Sequence, residues 1–142
     1  MKVIFLDVDG VLNSRQDGNS IKLRTDSHLR LLQEIVKATG ANIVLASSWR
    51  IGFTKAIKNL NDRLAEYGLE IMDRTPVLPG SSCKGDEIRQ WLSDNGQSVE
   101  NFVILDDDAD MAEFTDTNLV QTDSEYGLQD KEADRCIAML NS

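Results

Sequence analysis

Asp7 and Asp9 lie two residues apart directly after a short apolar run, Val3-Ile4-Phe5-Leu6. An extended continuation of a strand aims side chains i and i+2 the same way, so both carboxylates enter one space. A second acidic group, Asp106-Asp107-Asp108 followed by Asp110, comes directly after another apolar run, Phe102-Val103-Ile104-Leu105. Neighbouring carboxylates repel one another unless a proton or cation intervenes. Oxygen ligands of this kind suit Mg2+, which keeps several waters and typically binds together with substrate phosphate. Chance scattering of acids accounts well for one aspartate in an acidic protein, and poorly for two clusters at two strand ends. Lys84 opens a helical stretch, an unfavourable position for a cation against the helix dipole. There it is placed to pair with a carboxylate and to hold a phosphate oxygen. Ser47 and Ser48 follow a third apolar run and offer hydroxyls and N–H groups to an incoming phosphate. Arg50 adds a candidate bidentate phosphate contact, although alone it reads equally well as a surface salt bridge.

Such residues act together only if the chain gathers several strand ends at one edge. The apolar runs at 3–6, 43–46, 102–105 and 119–121 are short and rich in Val and Ile, as strands buried on both faces are. Between them apolar residues recur at helical spacing: Leu29, Leu32, Ile35 and Val36 between the polar Asp26-Ser27 and Gly40; Ile57, Leu60, Leu64 and Tyr67; then Ile88, Trp91 and Leu92. These predict helices over about 26–39, 54–67 and 84–95, with Asp26-Ser27 as the first N-cap and Gly40 as its stop. A fourth helix is expected over 131–140, a short edge strand over 70–72 and a loop over 76–82 around Pro79-Gly80. The alternation predicts an α/β fold, a three-layer Rossmann-like parallel sheet with helices on both faces. Ligands of such sheets bind beyond the carboxyl ends of the strands, where all the residues above fall.

Composition narrows the function. The 142 residues suit one domain, 1–142. Fifteen Lys and Arg against 24 Asp and Glu leave a net charge of −9, which argues against a general nucleic-acid binder or an anionic membrane surface. No apolar run approaches a membrane span, the N-terminus is not a signal peptide, and Cys83 and Cys136 match no metal or disulfide pattern. A cytoplasmic location is expected.

The order of features resembles the four motifs of the haloacid dehalogenase (HAD) superfamily of phosphohydrolases: Asp-Val-Asp-Gly-Val-Leu after the first strand, Ser after the second, Lys opening a later helix, Asp-Asp after the next strand. The resemblance implies that Asp7 attacks phosphorus to form an aspartyl-phosphate and that Asp9 is the general acid, then base. It implies that Ser47 holds a phosphoryl oxygen and that Lys84 neutralises charge on the transferring group. Asp107 would coordinate magnesium with help from Asp106, the Asp7 carboxylate and the Asp9 carbonyl, with Asp110 in support. Residues 13–25 are too few for a cap domain of this superfamily, and 50–83 are filled by one helix and an edge strand, so a capless phosphatase with an open crevice is expected. The Ser-Ser-Trp-Arg segment is similar to the phosphatase domains of nucleic-acid repair proteins. The expected substrate is a phosphorylated small molecule or a nucleic-acid end, with a polynucleotide-end or nucleotide phosphatase as the narrower alternative. A phospho-receiver signalling domain carries a similar inventory, but its phosphorylated Asp follows a middle strand, and 43–48 offers none. The remaining candidates read as structure: Lys55, Lys58 and Arg63 as a solvated helix face, His28 as a surface residue, Trp91 as core, Trp49 as core or lid, and Cys83 as structural.

Overall fold

A computed structural model describes residues 1–51, 54–80 and 83–142. Five strands, β1 (Lys2–Leu6), β2 (Asn42–Leu45), β3 (Ile71–Arg74), β4 (Asn101–Asp106) and β5 (Leu119–Gln121), form one parallel sheet in the order β3-β2-β1-β4-β5. The helices between and after them are α1 (Asp26–Thr39), α2 (Thr54–Glu66), α3 (Lys84–Asn95) and α4 (Asp130–Leu140). Ser81 and Ser82, the end of the expected 76–82 loop, lie outside the described residues.

The apolar runs become strands because both of their faces are covered. Ile4, Leu6, Ile43, Leu45, Val103 and Leu105 pack with α1, α2 and α4 in one core cluster. Their neighbours Val3, Phe5, Val44, Ala46 and Ile104 pack with Ile88 and Trp91 of α3 and with Met111 in a second. Each strand therefore sends alternate side chains to opposite apolar layers, the condition under which a strand is hydrophobic throughout. Trp91 is buried as expected, edge-on to Phe5 at 5.4 Å, with Nε1 donating to the Asp73 carboxylate at 2.8 Å.

Winding away from β1 reverses between β2-β3 on one side and β4-β5 on the other, so the β1/β4 pair is the topological switch point. Leu6 pairs with Leu105 there, and the next residues, Asp7 and Asp106, stand side by side. The 7–25 connection runs as turns between β1 and α1, and no cap domain is present among the described residues. No described helix is long and apolar enough to cross a membrane.

Two local expectations are corrected. Thr25, not Asp26 or Ser27, takes the N-cap position of α1, and without a side-chain cap bond, because its hydroxyl donates to Asp17 instead; Asp26 falls in the first turn. His28 is buried, not at the surface: its Nδ1 lies 2.9 Å from the Leu128 carbonyl oxygen, and the 123–127 turn closes over it.

Candidate active site

Four segments meet beyond β1 and β4. The carboxylate oxygens of Asp7, Asp106 and Asp107 come within 4.8 Å of one another. Lys84, the first residue of α3, reaches in with Nζ 3.0 Å from Asp7 and 2.9 Å from Asp106. Its approach depends on Gly85: a Cβ there would lie 2.6 Å from the Met111 backbone, so only glycine lets α3 start this close to the segment after β4.

Three carboxylates share one ammonium, and their ionisation reflects it. Burial, then the charge of Asp106, push the Asp7 carboxyl up to about 8 despite the pull of Lys84. Burial and a hydrogen bond with Asp106 likewise raise Asp107. Burial works against the charge of Lys84, but Asp7 and Asp106 outweigh it and hold its pKa above the ordinary lysine value. An all-oxygen donor set with this surplus of negative charge fits a hard divalent cation such as magnesium, held by Asp7, Asp106 and Asp107.

Asp9 stands apart from that cluster. Its two oxygens accept from Asn13 Nδ2 at 2.8 Å and from Trp49 Nε1 at 3.0 Å, which fixes an otherwise exposed carboxylate. Gly10 follows at φ +82°, and a Cβ on it would lie 2.2 Å from Asp107 Oδ2. The turn after β1 and the acids after β4 thus touch through a missing side chain. Thr122, just after β5, ties the same two loops, its hydroxyl donating to the Gly10 carbonyl at 2.7 Å and its N–H to the Asp106 carbonyl at 2.9 Å. Gly10→Ala is therefore expected to combine a strained backbone with a displaced Asp107. The expected result is a fall of several degrees in melting temperature. A variant that melts at the parental temperature would show that this contact is loose.

Ser47 is fully buried, and its Oγ accepts from the Trp49 N–H at 3.1 Å, which leaves the hydroxyl proton to be donated. Ser48 is exposed and lines a cavity beside Asp9. Arg50 is placed differently from a phosphate contact. Its guanidinium is buried and donates to the carbonyls of Ser47 and Thr75 at 2.8 and 3.0 Å, and pairs with Glu87 at 2.7 Å. It clamps the loops after β2 and β3 to α3 and supports Ser47 from behind. Asp108 and Asp110 are exposed, each accepting a backbone N–H two residues ahead. Lys58 and Arg63 pair with Asp62, Asp26 and Glu66, which neutralises two of the three basic side chains of α2.

The sequence pattern does not point to Asn13, Thr122 or Gly85 as site residues, and it leaves Trp49 as core or lid. One signal is present in the sequence: a polar Asn13 four residues after Asp9, directly following Val11-Leu12. Thr122 carries no signal, since its role exists only once β5 lies beside β4.

A family model for the HAD domain in Swiss Army Knife RNA repair proteins matches residues 3–133. Comparison with curated proteins and with solved structures finds no match. The matched span takes in every strand and every acid of the crevice, and the chain belongs to the family of HAD domains of Swiss Army Knife RNA repair proteins.

Proposed function

We propose that this chain is a magnesium-dependent phosphatase that hydrolyses a phosphate monoester through an aspartyl-phosphate on Asp7. Membership of a HAD family supports a hydrolase of phosphatase type acting on a phosphorylated substrate. The observation that carries the reading is the Lys84 ammonium set between Asp7 and Asp106, with Asp107 beside them.

An Asp7 carboxylate oxygen attacks phosphorus, forming the Asp7 O–P bond as the bond to the leaving oxygen breaks. Asp9 gives that oxygen its proton. Water then attacks phosphorus from the vacated side and passes a proton to Asp9, so inorganic phosphate leaves and both carboxyls return to their starting states. The Ser47 hydroxyl and the Ser48 N–H hold phosphoryl oxygens, and Lys84 neutralises charge as it moves from nucleophile to phosphoryl group. Magnesium, when bound by Asp7, Asp106, Asp107 and the Asp9 carbonyl, supplies further neutralisation of that group.

The direct test is phosphate release from p-nitrophenyl phosphate with magnesium and with chelator. Steady, chelator-sensitive turnover is the expected result, and its absence at any magnesium concentration would sink the reading. Lys84→Ala is expected to lower kcat on the order of a hundredfold or more, as loss of one preorganised charge stabiliser does. Activity within about threefold of the parent would make Lys84 a scaffold residue whose charge serves folding.

A further inference from the structure

A cavity of about 490 Å³ opens at the crevice, lined by Asp9 and Asp107 but, among the described residues, not by Lys84. Asp9, Gly10, Ser48 and Asp107 form its inner wall; Arg15 and Ile21, from the 13–25 loop, form its outer one. Such a volume suits a ligand larger than phosphate. Because Asp9 delivers its proton to the leaving oxygen, the rest of the leaving group has to lie on the side Asp9 faces, which is this cavity.

Among the described residues Arg15 is the only cation that lines it. The backbone of Arg15 is fixed at both ends, its N–H donating to the Ser124 carbonyl at 3.0 Å and its C=O accepting from Gly18 at 3.2 Å. Asp17 holds the same loop from within, accepting from the Ser14 N–H at 2.7 Å and the Thr25 hydroxyl at 2.5 Å, and facing His28 at 3.7 Å. Burial would raise Asp17, but these bonds outweigh it and keep the carboxyl below its ordinary value. The guanidinium of Arg15 on this braced loop is exposed and carries no hydrogen bond or ion pair among the described residues, in a chain of net charge −9. Ile21 on the same loop leaves 45% of its surface in solvent at the cavity. An apolar side chain beside a planar cation on a braced loop suits a ligand that carries both a ring and an anionic oxygen group.

We propose that Arg15 is a specificity residue that binds a second phosphate on the leaving group, so that the preferred esters are nucleotides bearing two phosphates. The second phosphate belongs either to a free nucleoside bisphosphate or to the first diester of an end-phosphorylated strand. The inference rests on the phosphatase reading for the side on which the leaving group lies.

The test measures kcat/KM for the parent, Arg15→Ala and Arg15→Lys on uridine 5′-monophosphate, uridine 3′,5′-bisphosphate and end-phosphorylated diuridylates. The parent is expected to favour the two-phosphate esters over the monophosphate on the order of tenfold, the scale of one charge-assisted hydrogen-bonded contact. Arg15→Ala brings that ratio to within about twofold of one, and Arg15→Lys keeps part of it, as a point charge without the planar fork does. A ratio near one in the parent, or one that survives Arg15→Ala, overturns the proposal. Preference for the diuridylates over the bisphosphate assigns the site to strand ends; the reverse assigns it to free nucleotides. Should the parent hydrolyse none of these or p-nitrophenyl phosphate, the phosphatase reading fails by itself. Equilibrium binding then decides Arg15: the bisphosphate is expected to bind more tightly than uridine 5′-monophosphate in the parent and equally in Arg15→Ala, and equal binding in the parent overturns the proposal.

Discussion

Asp7→Asn is expected to abolish turnover of p-nitrophenyl phosphate, by about four orders of magnitude or more, as removal of a covalent nucleophile does. The amide is close in shape to the carboxyl, so folding should persist. Indeed one charge leaves a site where burial and Asp106 already disfavour it, and the metal-free variant should be at least as stable as the parent. Asp9→Asn offers a sharper comparison, because in the proposed mechanism Asp9 serves the leaving oxygen and not the phosphorus. On an alkyl phosphate, whose leaving oxygen needs a proton, the variant should lose nearly as much as Asp7→Asn. On p-nitrophenyl phosphate the first step needs little protonation and should suffer less. A burst of p-nitrophenol followed by slow turnover is the expected signature, since the second step still needs Asp9 as base. Equal losses on both leaving groups would remove Asp9 from the acid role, whatever its contacts with Asn13 and Trp49.

The sheet was legible because its strands are uniformly apolar and its helices are not. The runs at 3–6, 43–46 and 102–105 can be buried on both faces only in a sheet covered twice, and each lies within one residue of the observed strand. The edge strand β3, exposed along most of its length, carried the weakest pattern and is displaced by one or two residues from 70–72. Within the site, residue types announced themselves where chemistry demands an unusual neighbour, as with acids two apart after a strand. Positions whose role lies in holding another residue did not. Arg50 looks like a phosphate ligand in sequence because it follows Ser47-Ser48, yet its partners Thr75 and Glu87 arrive from residues 25 and 37 positions away. His28 reads as surface because its helix begins there, and only the 123–127 turn buries it. Long-range closure, not local pattern, decides such residues.

Magnesium is expected to raise the melting temperature of the parent by several degrees, and the same acids that hold it should set the pH dependence. A cation that binds only the folded state adds RT ln(1 + [Mg]/Kd), about 2.7 kcal/mol at one hundred times Kd, which in a domain of this size is a shift of several degrees. In chelator, the Asp7 carboxyl titrates near 8 in the folded chain against 3.8 as its ordinary value. A raised acid holds its proton in the fold and loses it on unfolding, so its contribution to stability is full below about pH 4 and is lost as pH rises through about 8. The chelated protein should therefore lose stability between pH 5 and 8 on this account, roughly the interval given by those two values. The magnesium shift should grow over the same interval, because binding must displace that proton. Asp107→Asn separates the metal from the charge. It removes a ligand and also a carboxylate that burial and Asp106 already disfavour, so its metal-free melting temperature should rise while most of the magnesium shift disappears. Sodium at matched ionic strength acts by screening alone and should move parent and variant alike. A magnesium shift that survives Asp107→Asn unchanged would place the ion away from the acids after β4, and with it the second half of the crevice would lose its chemical role.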